Sequence, residues 1–92
     1  MIVSFRHKGL RRVFESGDTR GISAEHAARI QAILTALNAA TTLDGMDLPS
    51  YRLHELSGNL RGFHAVTVRA NWRVIFRYSN GDASDVDLVD YH

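Results

Sequence analysis

The spacing of apolar residues changes once along this chain, and that change decides the fold class. Before Pro49 the apolar residues recur at helical spacing. Leu10, Val13 and Phe14 sit at i, i+3 and i+4 between His7 and Ser16, and Gly17 follows as a natural left-handed stop. Ala27, Ile30, Ile33, Leu34 and Leu37 form one stripe of a second helix, running from an N-cap at Ser23 to about Ala40. After a loop from Thr41 to Ser50 the period falls to two. Tyr51 and Leu53 alternate with Arg52 and His54. His64, Val66 and Val68 alternate with Ala65, Thr67 and Arg69. Trp72, Val74, Phe76 and Tyr78 alternate with Arg73, Ile75 and Arg77, and Val86, Leu88 and Asp90 form a last strand. Ile2–Phe5 is a further β-prone run at the start. The order predicts one α+β domain over residues 1–92. Its N-terminal strand and two helices pack on one face of a twisted antiparallel sheet.

Asn80-Gly81 is the strongest hairpin signal. A two-residue loop there pairs Phe76 with Asp85 and Val74 with Asp87, setting carboxylates against core side chains. A three-residue loop shifts the register by one, so that Phe76 meets Val86, Val74 meets Leu88, Arg77 meets Asp85, Arg73 meets Val89 and Asn71 meets Tyr91. The second register sorts polarity and is the one expected. It leaves Asn71, Arg73, Arg77 and Tyr91 on an open basic-aromatic face suited to RNA, with Trp72 under the helices.

Composition narrows the chemistry. The chain has no cysteine, which excludes disulfides, a thiolate nucleophile and cysteine-based metal sites. No apolar run is long enough for a membrane span, and MIVSFRHKGLRR lacks the apolar core of a secretory signal, so a cytoplasmic location is expected. The net charge of +1 conceals a strong division. Residues 1–12 carry Arg6, Lys8, Arg11 and Arg12 with no acid; residues 51–77 carry five arginines against Glu55; residues 78–92 carry Asp82, Asp85, Asp87 and Asp90 with no base.

The terminal Asp90-Tyr91-His92 reads either as a polar tail or as an acid–base group with a stacking ring. Arg69, Asn71 and Arg73 straddle a turn and could bind phosphate, or could be solvated strand residues paired with Asp85 or Asp87. Lys8, Arg11 and Arg12 suit a solvated helix face or a polyanion. His54, His64, His92 and Asp90 are ligand types without metal-ligand spacing, so no metal or other cofactor is expected. No phosphate-loop, dinucleotide-binding or esterase motif is present.

FRHKGL, LHEL at 53–56, GN-x-x-GF at 58–63, VRANWRVIF at 68–76, NGDA at 80–83 and the terminal VDYH run the whole length of the chain. In these motifs the chain resembles a HigB-type toxin of the RelE superfamily, from type II toxin–antitoxin systems. The resemblance implies a metal-free, ribosome-dependent endonuclease that cuts messenger RNA in the A site. A 2′-hydroxyl attacks the adjacent phosphorus, and the 5′-oxygen leaves behind a 2′,3′-cyclic phosphate. It implies site positions at His54, Asn71, Arg73, Asp90, Tyr91 and His92. His92 and Asp90 would share proton transfer with His54, Tyr91 would stack on a base, Arg73 would stabilise phosphate charge, and Asn71 would hold the tail. Arg61, Arg69 and Lys8 are further candidates for RNA contact. The implied partners are the ribosome, the message and a HigA-type helix-turn-helix antitoxin, with operator DNA bound only through that complex. Ser57 stands where many members carry an active-site lysine; Arg61, four residues on, is the candidate replacement. A weakened module that only binds antitoxin or nucleic acid is the competing expectation.

Overall fold

A computed structural model describes residues 1–91 of the chain. α1 (Lys8–Ser16) starts where the His7 ring turns back and Nδ1 accepts the Leu10 amide at 3.1 Å. It ends at Gly17, with φ of 72°. α2 (Ala27–Ala39) follows a 3₁₀ turn at Ala24–His26. Ser23 does not cap it with its hydroxyl; instead its carbonyl accepts the His26 amide at 3.0 Å. The linker between the helices is bracketed by Arg20, whose guanidinium and amide both bond the Asp18 carboxylate. These bonds hold the Asp18 carboxyl at about 2.

The sheet is a meander of β1 (His54–Glu55), β2 (His64–Arg69), β3 (Trp72–Ser79) and β4 (Asp82–Asp90), in that order. β1 is shorter than the alternation predicts because a 3₁₀ turn at Pro49–Tyr51 and a left-handed Arg52 take up the preceding residues. The segment expected as an N-terminal strand lies along the free edge of β4, running parallel to it, and joins through isolated bridges at Ile2–Ala83 and Phe5–Val86. Both helices and the long loop cover one face. Leu10, Ile30, Ile33, Leu37, Met46, Val66, Val74, Phe76 and Val86 are fully buried there. Removing each larger aliphatic or aromatic side chain from water contributes about 1.5–3 kcal/mol.

The last hairpin resolves the register question differently from the expectation. Asn80 and Gly81 form a tight two-residue loop with φ of 53° and 81°. Near the turn Tyr78 faces Ala83 and Arg77 faces Ser84. Beyond it Val74 faces Leu88 and Arg73 faces Val89, as the polarity argument requires. A bulge at Asp85–Val86, opposite Phe76, supplies the shift that a three-residue loop was expected to supply. Asp85 takes φ of 52°, a conformation that Asp tolerates better than most residues. Its amide donates to the Ser4 hydroxyl at 2.8 Å, so the N-terminal segment satisfies the group the bulge frees.

α1 and the linker touch backbone to backbone. A Cβ on Gly9 would lie 2.5 Å from the Gly21 carbonyl oxygen. Gly9→Ala therefore forces the two segments apart, and the expected loss of about 1–3 kcal/mol is measurable by urea unfolding; an unchanged midpoint would contradict this packing. Asp18 offers a second check. Its folded value is depressed, so its contribution is complete above the ordinary carboxylate value of 3.8 and is lost as pH falls through about 2. Carboxyl NMR titration should find Asp18 raised part of the way toward its ordinary value in Arg20→Gln, which keeps the amide bond; a titration unchanged by that substitution would contradict the guanidinium as the main cause.

Candidate RNA-processing site

The register assigns the candidate residues to faces. His54 lies opposite Ala65, and Ala65 opposite Ile75. Thr67 lies opposite Arg73, and Arg73 opposite Val89, one step further along the ladder. These residues share the face turned away from the helices. His54 and Arg73 are separated by two strand spacings across the sheet and two residues along it, about 12 Å. Tyr91 joins this face and packs on the small cluster of Leu56, Phe63, Ala65 and Ile75. Its amide donates to the Asn71 carbonyl at 2.8 Å, which sets Asn71 beside Tyr91 as the sequence register predicts. Asp90 pairs with Trp72 and so has the parity of the helix-side residues. Asp90 and Tyr91 thus leave the strand on opposite sides. His92 lies outside the described residues.

The face is not open. The β1–β2 connection folds over it, with Leu56 and Phe63 buried and the Leu56 amide bonded to the Phe63 carbonyl at 2.9 Å. The alternation hid this second cluster because, on its own face, Ile75 alternates with Arg73 and Arg77, and Ala65 with Thr67. Ser57, Gly58 and Arg61 line a cleft of about 400 Å³ in this connection, together with Glu55. Arg61 and Ser57 therefore border the same space.

His54 is exposed, and its Nδ1 lies 2.8 Å from the Arg52 carbonyl oxygen. A carbonyl only accepts, so Nδ1 carries the proton in this contact. In the neutral ring Nε2 is then the basic nitrogen, available as a proton acceptor. Arg73 is folded back on the β2–β3 turn, where its Nη1 donates to the carbonyls of Ala70 and Trp72. Its buried Nε has no partner among the described residues, and neither does the buried Thr67 hydroxyl across the ladder. The guanidinium is thereby fixed at the end of the sheet where β3 begins and β4 ends.

Two candidates are placed elsewhere. Strict alternation puts Arg69 beside Arg73, but a bulge between Thr67 and Arg69 turns it to the helix side. There it pairs with Glu25 at 3.4 Å, not with Asp85 or Asp87. Trp72 follows it to that side and stays partly exposed, its ring 6.1 Å from the buried His26 ring. These two rings, with His7, Gly21 and Leu88, border a cleft of about 380 Å³ away from the candidate site. Lys8 opens α1, in the helix layer. His64 faces Phe76 on the helix side, away from His54. Among the described residues, no three histidine or carboxylate side chains converge as a metal ion would require, and no helix is long and apolar enough to cross a membrane.

The chain is 45% identical over its full length to Endoribonuclease HigB of Proteus vulgaris, and the alignment covers all of both chains. Its fold matches a chain of the YoeB-YefM complex from Staphylococcus aureus with a TM-score of 0.58 at 12% identity, over 100% of this chain and 95% of that one. A family profile described as the RelE-like toxin of type II toxin-antitoxin system HigB matches residues 3–92. The chain therefore belongs to the HigB-like family of RelE-like type II toxins.

Proposed function

We propose that this toxin is an endoribonuclease that cuts messenger RNA in the ribosomal A site and is neutralised by a HigA-type antitoxin. The observation that carries the reading is the common face of His54, Arg73 and Tyr91, at one end of the sheet. The 45% identity, over the full length, to a relative named an endoribonuclease supports the reaction type. Membership of a toxin–antitoxin family supports the antitoxin partner. Both partners of the reaction are cytoplasmic in this reading.

The reaction needs a proton acceptor for the attacking 2′-hydroxyl, a donor for the departing 5′-oxygen and positive charge at the phosphorane. His54 Nε2 has the form of the acceptor. Proton donation falls to His92, since Asp90 has the parity of the opposite side of β4. Arg73 meets the developing phosphate charge, and Tyr91 stacks on or orients a base. Asn71 holds the tail through its bond to the Tyr91 amide. In place of the family lysine, Arg61 supplies charge from the cleft it shares with Ser57.

Cleavage during translation with purified ribosomes tests the reading. Wild-type protein should cut within the A-site codon in the presence of a zinc chelator, and removal of Tyr91 and His92 should abolish the cuts. His92→Gln should lower the rate at least ~10²-fold if His92 transfers a proton. No cuts by a folded wild-type protein would instead support a module that only binds antitoxin or nucleic acid. Arg61→Ala should lower the cleavage rate; an unchanged rate would remove Arg61 as the replacement for the lysine.

A further inference from the structure

Phe63 is buried, and two guanidinium groups cover its ring. The central carbon of Arg77 lies 4.4 Å from the ring centroid, and that of Arg6 lies 5.0 Å from it. Resting on the RNA-cleaving reading above, we propose that Arg6 and Arg77 form a second phosphate site, which grips the single-stranded message away from the scissile bond.

Three features support a built site. The Arg77 guanidinium lies directly against a glycine: Gly62 has φ of 92°, and a Cβ there would lie 2.7 Å from Arg77 Nη1. The main chain carrying Arg6 is fixed, since its amide donates to the Val86 carbonyl at 2.8 Å next to the β4 bulge. The charges do not balance. Asp85 faces Arg77 at 3.5 Å through Nε, and among the described residues no carboxylate pairs with Arg6. One guanidinium would suffice to cover the ring. The second adds another positive charge to the same ring, and only Arg77 has a facing carboxylate, so an anion offsets the excess.

The position favours a phosphodiester backbone. Arg73, Ile75 and Arg77 alternate along β3 on the same face, so the two arginines stand about 13 Å apart along the strand at the usual rise. One polyanionic strand can engage Arg73 and the Arg6–Arg77 pair together. Planar guanidinium forks on an aromatic ring are preorganised for bidentate phosphate contact. Arg77 lies in the basic 51–77 segment and Arg6 in the basic 1–12 segment, and here the fold joins the two.

The test is binding of a cleavage-resistant 2′-O-methyl RNA oligonucleotide across a salt series, for wild type, Arg6→Gln and Arg77→Gln. Each substitution should reduce the slope of log affinity against log salt by ~0.7, the value for one phosphate contact in a single strand. Arg11→Gln, which removes an exposed arginine of α1, should leave the slope unchanged. Co-sedimentation with message-free ribosomes should be unaffected by Arg6→Gln and Arg77→Gln. On translating ribosomes the two variants should raise KM with kcat unchanged. Thermal unfolding confirms that each variant is folded. Wild-type slopes in both variants, or absence of salt-dependent binding by wild type, would overturn the proposal. Loss of ribosome co-sedimentation with an unchanged oligonucleotide slope would also overturn it, in favour of ribosomal RNA. Because binding is read apart from cleavage, a protein that binds with these slopes yet cuts nothing would fail the nuclease reading while keeping the phosphate site.

Discussion

The bulge at Asp85 holds the two halves of the sheet in a workable register, and most of the molecule depends on it. The Asn80-Gly81 turn demands one pairing and the apolar side chains of β3 and β4 demand another. Without an extra residue, every side chain of β4 beyond Ser84 would fall on the wrong face. With it, Ala83, Val86 and Leu88 all pack toward the helices. The amide freed by the bulge is bonded by Ser4, and the Val86 carbonyl accepts from Arg6 and His7. The N-terminal segment is thereby laid along β4, and α1 starts where that segment ends.

The same device arranges the other face. The corrected register sets Arg73 opposite Val89 and leads β4 out beside Asn71 and Tyr91. Before the bulge, Arg77 stands near Asp85 and over Phe63. A second bulge, between Thr67 and Arg69, takes Arg69 off this face and gives it to Glu25. The arginines of residues 51–77 look equivalent in the sequence, but two local irregularities send them to different surfaces.

Much of this was legible in the residues. The change from helical to alternating spacing gave the α+β class, and Gly17 marked the end of α1 to the residue. The polarity of Phe76, Val86 and Leu88 gave the register of the outer hairpin without showing how it is reached. A bulge costs one residue and leaves no motif, so a longer loop was the natural expectation. The cluster of Leu56, Phe63, Ala65 and Ile75 was missed because Ile75 shares its face with Arg73 and Arg77, while Leu56 and Phe63 belong to a connection with no regular period. Only the folding of the β1–β2 connection brings them together. His54 was found through the family motif, whereas its proton-accepting form depends on the Arg52 carbonyl, which no sequence pattern encodes.

The central claim is that RNA meets the sheet face turned away from the helices. Amide chemical-shift mapping with a cleavage-resistant single-stranded RNA tests it most directly. The account predicts shifts at His54, Arg73, Ile75, Arg77 and Tyr91, with Arg11 and Gln31 in the helix layer undisturbed. Shifts concentrated on α1 and α2, with the sheet face silent, would contradict it.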